Sequence, residues 1–191
     1  MTRALAYVIA ALTMLAGVGQ AQAQMDMRDI MGSGPGFFGG GSGGSPVRRQ
    51  TVNFAGHYAP GTIYINTGER RLYLVLAGGQ AMRYGIGVGR DGFRWSGTHR
   101  ITAKKEWPSW TPPSQMLARR PDLPRHMKGG VDNPLGARAM YLGSTLYRIH
   151  GSNEPETIGQ AVSSGCFRMT NDDVTDLYSR VPVGTTVIVK N

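Results

Sequence analysis

Cys166 is the only cysteine among 191 residues, and His150 lies sixteen positions before it. Cys166 follows the small-residue run Ser163-Ser164-Gly165. His150 ends an apolar, strand-like run and is followed by Gly151. A thiol is mostly protonated at neutral pH, and an adjacent imidazole can take its proton. The resulting thiolate attacks an amide carbonyl, provided that donors wait for the oxyanion. Small residues let a substrate approach the backbone, so the main-chain N–H groups of Ser164, Gly165 and Cys166 are candidate oxyanion donors. Against this stands the common fate of a lone cysteine, which is to be buried and inert. Residue spacing by itself leaves both readings open.

The elements that must position these residues are short. Residues 61–66 (GTIYIN) and 71–77 (RLYLVLA) read as a hairpin about Thr67-Gly68-Glu69. Further strands are expected over 80–88, 99–103, 138–142, 145–150 and 185–190. Residues 107–124 carry Pro108, Pro112, Pro113, Pro121 and Pro124, which predict an ordered loop without a long regular element. Many short strands at close spacing predict a mostly β, sandwich- or barrel-like domain. One short helix is expected just after Cys166. Thr170 and Asp173 form a capping-box variant, Val174, Leu177, Tyr178 and Val181 repeat at helical spacing, and Pro182 ends the run.

Ahead of the domain, Thr2-Arg3, an apolar run over 4–16 and Ala21-Gln22-Ala23 read as a secretory signal over residues 1–23, cut after Ala23. The run is short for a permanent membrane span, and no cysteine follows it, so neither a span nor a lipid anchor is expected. Residues 24–49 read as a Gly/Ser-rich flexible tether, and 50–191 as the catalytic domain. The formal net charge is +9. Lys and Arg never run longer than two, and no aromatic stripe interleaves them, so an anionic envelope is favoured over nucleic acid.

The strings His150-Gly151-Ser152 and Ser163-Ser164-Gly165-Cys166-Phe167-Arg168-Met169 resemble the signature of the L,D-transpeptidase family (YkuD-type catalytic domain). Ile86-Gly87-Val88-Gly89 and Asn133-Pro134-Leu135-Gly136 extend the resemblance, which runs from about Gly61 to Val189. Many relatives carry His directly before the Gly-Cys pair, where this chain has Ser164. A backbone donor survives that change, and His150 becomes the only candidate base. The resemblance implies a sandwich-like fold with Cys166 in a groove under a flap. It implies attack on the peptidoglycan stem amide between the third residue, usually diaminopimelate, and the terminal D-Ala. A thioester would form and pass to an amine of another stem or of an envelope protein. It further implies a cell-shape and wall-biogenesis role in the periplasm or cell wall, and acylation by carbapenems.

Arg168, Gly151 and Ser163 are candidate substrate-binding residues, with Arg168 either holding a carboxylate or pinning the loop to Asp172 or Asp173. No His/Cys/Asp/Glu group has metal-ligand spacing, so neither a metal nor a cofactor is expected, and the chain is expected to be a monomer. His57, His99 and His126 read as surface or loop residues. Glu154 and Glu156 flank Pro155 without the fixed geometry of a carboxylate pair. Gly85, Gly87 and Gly89 lie in a strand pattern, which argues against a dinucleotide loop. The nearest alternative is an L,D-carboxypeptidase or endopeptidase with water as acceptor. A non-catalytic wall-binding module is the alternative of another class.

Overall fold

The computed structural model describes residues 45–191. The expected leader, and the tether as far as residue 44, lie outside them. The described residues form eleven strands, two short α-helices and one 3-10 turn (Pro155–Thr157), in line with a mostly β domain.

The hairpin forms as its alternation requires. In β2 (Ile63–Asn66) and β3 (Arg71–Val75), Ile63 pairs with Leu74 and Ile65 with Leu72, and all four side chains are buried. Polar or half-buried residues take the alternate positions, as a one-sided sheet demands. Strand β4 (Gln80–Gly85) pairs with β3, and β1 (Gln50–Asn53) adds at the edge. The last strand, β11 (Thr186–Lys190), inserts parallel to β2 and buries Val187 and Val189.

Strand β6 (Gly97–Glu106) links two parts of the sheet. Its first residues pair with β11 and its later ones with β7 (Arg138–Leu142), with an irregularity between Ile101 and Ala103. Such an irregularity bends a strand and re-aims it. Beyond β7 lie β8 (Arg148–His150) and then β10 (Phe167–Arg168), parallel to β8. Buried residues from both parts, among them Ile63, Leu72, Met140, Ile149 and Phe167, meet in one core. A separate pair joins β5 (Val88–Gly89) to β9 (Ala161–Ser163).

Helix α2 (Asn171–Arg180) starts where the cap predicts. The Asp173 N–H donates to the Thr170 hydroxyl at 3.2 Å, and Val174 and Leu177 are buried in the core. At its other end, Lys104 Nζ donates to the carbonyls of Tyr178 and Val181, each at 2.7 Å. A cation there satisfies carbonyls that a helix leaves unpaired.

Several features depart from the sequence reading: β1, β9 and β10 are not among the expected strands, and the strand expected over 145–150 is confined to Arg148–His150. The proline-rich segment contains a six-residue helix, α1 (Ser114–Arg119). Pro112 and Pro113 precede it, where a missing N–H costs nothing, and no proline interrupts it. In addition, residues 45–49 are docked, not free. Arg49 pairs with Asp173 at 3.1 Å, and Val47 lies over Gly85. Composition shows neither contact.

Candidate active site

The ladder between β8 and β10 decides which side chains share a face. Phe167 pairs with Ile149, and both point into the core. Arg168 pairs with His150. Side chains alternate along a strand, so the other face carries Arg148 and His150 from β8, with Arg168 from β10 and Cys166 just before it. All four line one cleft of about 450 Å³. A peptide-sized ligand needs a space of this order.

His150 is buried, and its Nδ1 lies 2.6 Å from the carbonyl oxygen of Gly151. A carbonyl only accepts, so Nδ1 carries the proton and the neutral ring keeps a lone pair on Nε2. Burial and the Arg168 charge lower the His150 pKa to about 3. Burial raises the Cys166 thiol, against the pull of Arg148 and Arg168. Both groups are therefore held neutral at rest. This differs from the preformed ion pair that an exposed Cys–His couple would favour.

The turn before Cys166 is tightly held. Gly165 has φ +106, a conformation that favours glycine, and a Cβ there would meet the Tyr147 ring at 2.6 Å. Ser163 Oγ donates to the Cys166 carbonyl at 2.6 Å and accepts from the Gly165 N–H at 3.2 Å. Ser163 is thus buried in the service of the turn. Of the three candidate oxyanion donors, Gly165 is already engaged. The N–H groups of Ser164 and Cys166 have no protein partner among the described residues.

Trp95 was not singled out from the sequence, yet it supports this turn. Its Nε1 donates to the Gly165 carbonyl at 2.8 Å, and its ring stacks on Tyr147 at 4.4 Å. A lone aromatic between turn residues was the only signal. Gly151 is also enclosed: a Cβ would run into the Asn171 side chain and the Ala137 nitrogen.

Arg168 pairs with Glu154 at 2.7 Å, not with Asp172 or Asp173. The helix α2 start carries Asp172 and Asp173 in its first turn, and none of its residues lines the cleft. Glu156 is exposed. Trp110, Pro113, Met116 and Arg119 form the facing wall, so the proline-rich segment encloses the site. Buried Asn133 braces it, donating to the Lys128 carbonyl at 2.9 Å and accepting from the Leu135 N–H at 2.9 Å. His126 approaches Thr111, and His99 lies edge-on to Trp95; neither lines the cleft. Among the described residues no group of three or more His, Cys, Asp or Glu could hold a metal, and no helix is long and apolar enough to cross a membrane.

A mostly β domain with one thiol and one neutral imidazole on a shared sheet face defines a class of cysteine acyl-transfer enzymes. The chain belongs to the YkuD family, the L,D-transpeptidase catalytic domain, whose model matches residues 60–189. The probable L,D-transpeptidase YbiS of Escherichia coli strain K12 is 40% identical over 134 residues, covering 65% of this chain and 43% of that relative. The chain therefore spans less than half the length of that relative. The crystal structure of L,D-transpeptidase 3 from Mycobacterium tuberculosis has a TM-score of 0.56 at 15% identity, over 68% of this chain and 60% of that one, and shows the shared fold. A structure from Brucella melitensis, described as a probable carnitine operon oxidoreductase, is 49% identical with a TM-score of 0.52, over 76% of this chain and 94% of that one.

Proposed function

We propose that the protein is an exported peptidoglycan L,D-transpeptidase with Cys166 as nucleophile and His150 as base. His150 Nε2 accepts the thiol proton as Sγ bonds to the carbonyl carbon between the third stem residue and D-Ala. The N–H groups of Ser164 and Cys166 hold the oxyanion. The carbon–nitrogen bond then breaks, the D-Ala amine leaves with the proton from His150, and a thioester remains. An acceptor amine, from another stem or an envelope protein, attacks that thioester. It yields its proton to His150, and the thiol is restored as the new amide forms. Residues 1–23 serve as the export leader. The Gly/Ser-rich stretch ahead of Ser45 spaces the domain from its exit point, in the periplasm or cell wall.

The supporting observation is the placement of Cys166 and His150 on one face of one cleft, with the imidazole tautomer set by Gly151. A redox reading has less support. The chain has one cysteine and so no resolving thiol, and Gly85 to Gly89 run from the end of β4 through β5 with no helix following. Incubation with purified disaccharide-tetrapeptides, read by mass spectrometry, tests the proposal. Dimers joined between third residues, together with released D-Ala, are expected. Trimmed monomers alone would assign the water-accepting carboxypeptidase instead.

A further inference from the structure

Two arginines flank the Cys–His pair, and their surroundings differ. Arg168 is neutralised by Glu154 at 2.7 Å. Arg148 has no carboxylate partner among the described residues, and its Nε is buried without a hydrogen bond. Its guanidinium lies over the Tyr141 ring, at 5.2 Å, and within hydrogen-bonding reach of the Cys166 thiol. Arg148 is half-buried and its charge is not balanced by a carboxylate, so the cleft favours an anionic ligand at this point. The cleft supplies no anion of its own: Arg119, Arg148 and Arg168 line it, and no Asp or Glu does.

The position of Arg148 is set by register. Phe167 pairs with Ile149, so one step back along the parallel ladder Arg148 faces Cys166. Neighbouring strands lie about 4.8 Å apart. Both side chains line the same cleft, so a carboxylate gripped by Arg148 would sit within one residue of the carbonyl that Cys166 attacks. In a stem ending in D-Ala, the terminal carboxylate is three bonds beyond the attacked carbonyl carbon, at most about 4 Å away by ordinary bond lengths. The guanidinium fork suits such a group, because its two parallel N–H donors match the two carboxylate oxygens.

We propose that Arg148 is the residue that selects the acyl donor, by binding the free terminal carboxylate of the stem peptide beside Cys166. The assignment rests on the transpeptidase reading above and deepens it. It also explains why the cleft retains an unpaired cation next to the nucleophile. Arg148 additionally favours the charged form of the sulfur, an effect common to all donors, whereas carboxylate binding acts on one kind of donor only.

The test is equilibrium binding in a Cys166→Ala background, where no turnover interferes. Calorimetry compares a stem tetrapeptide, its D-Ala amide, and the form amidated only on diaminopimelate. With Arg148 present, the first and third are expected to bind about thirty- to a hundredfold more tightly than the terminal amide. Arg148→Gln should abolish that ratio, and Arg148→Lys should restore part of it. Equal weakening of all three peptides, no change in the ratio, a ratio that follows the diaminopimelate carboxylate, or no measurable binding would each overturn the proposal. Unchanged thermal unfolding of the variants keeps the comparison fair. Thioester formation by the unsubstituted enzyme is measured separately, so failure of the reaction is distinguished from failure of the carboxylate site.

Discussion

His150 Nδ1 donates to the carbonyl oxygen of the next residue, Gly151, across 2.6 Å. Because that oxygen can only accept, one backbone carbonyl fixes the tautomer of the base and leaves Nε2 free of its proton. No carboxylate is needed as the third member. The consequences for pH dependence are direct.

The acid limb of kcat/KM should be absent near pH 6.5, the ordinary histidine range. Burial lowers His150 to about 3, so the base stays neutral through mildly acidic conditions. Activity should hold from neutral pH down to about pH 4, measured with a stem donor in constant-ionic-strength buffers. Alkylation of Cys166 by iodoacetamide in the free enzyme should rise only above the usual thiol range, since burial raises that group. An acid limb between pH 6 and 7 would contradict the neutral resting pair.

Stability should fall as the solution is acidified. The folded-state pKa of His150 lies below its unfolded value of about 6.5, so the unfolded chain binds more protons in between. The contribution is fully present above pH 6.5 and is lost as pH falls toward 3. Its size is of the order of a few kcal/mol. Urea unfolding across this window should show a shallower pH slope in His150→Gln than in the unsubstituted protein. Parallel slopes would refute the assignment.

Trp95→Ala should loosen the turn that carries Cys166. It removes both the stack on Tyr147 and the bond to the Gly165 carbonyl. A loss of about 2–3 kcal/mol is expected from the lost packing, with a fall in kcat of at least tenfold. Trp95→Phe keeps the ring and should cost only about 1 kcal/mol for the missing hydrogen bond. Denaturant midpoints and single-turnover acylation check both values.

Asn133→Ala should damage the wall facing the nucleophile while leaving the sheet in place. Three backbone groups, the carbonyls of Pro108 and Lys128 and the N–H of Leu135, lose their partner. Leaving buried backbone groups unsatisfied costs about 1–3 kcal/mol. The expected kinetic signature is a raised KM for the donor, larger than the change in kcat. An unchanged KM would show that the 107–135 segment does not shape the binding site.

How much of this was readable depends on the length of each element. The β2–β3 hairpin declares itself through Ile63, Ile65, Leu72 and Leu74 at alternate positions, and α2 through Thr170 and its spaced apolar residues. Strands β9 and β10, of three and two residues, are too short to show a period. They exist because β5 and β8 offer them edges, which only the folded chain brings near. Cys166 and His150 were legible from their neighbours. Their shared face follows from a parallel register that no local pattern encodes. Arg148 sits two residues before His150, and strand parity alone places both on one side. Its lack of a partner is visible only once Glu154 is seen on Arg168. The buttress from Trp95 likewise joins residues 70 apart.

The most direct test of the central claim is intact-mass spectrometry of the protein mixed with a stem tetrapeptide, quenched in acid within a turnover. A covalent adduct equal to the tetrapeptide less D-Ala should map to Cys166, with one equivalent of free D-Ala released. Cys166→Ala should show neither, while retaining the native unfolding midpoint. Release of D-Ala at the same rate by Cys166→Ala, or an adduct on any other residue, would contradict a thiol nucleophile at this position.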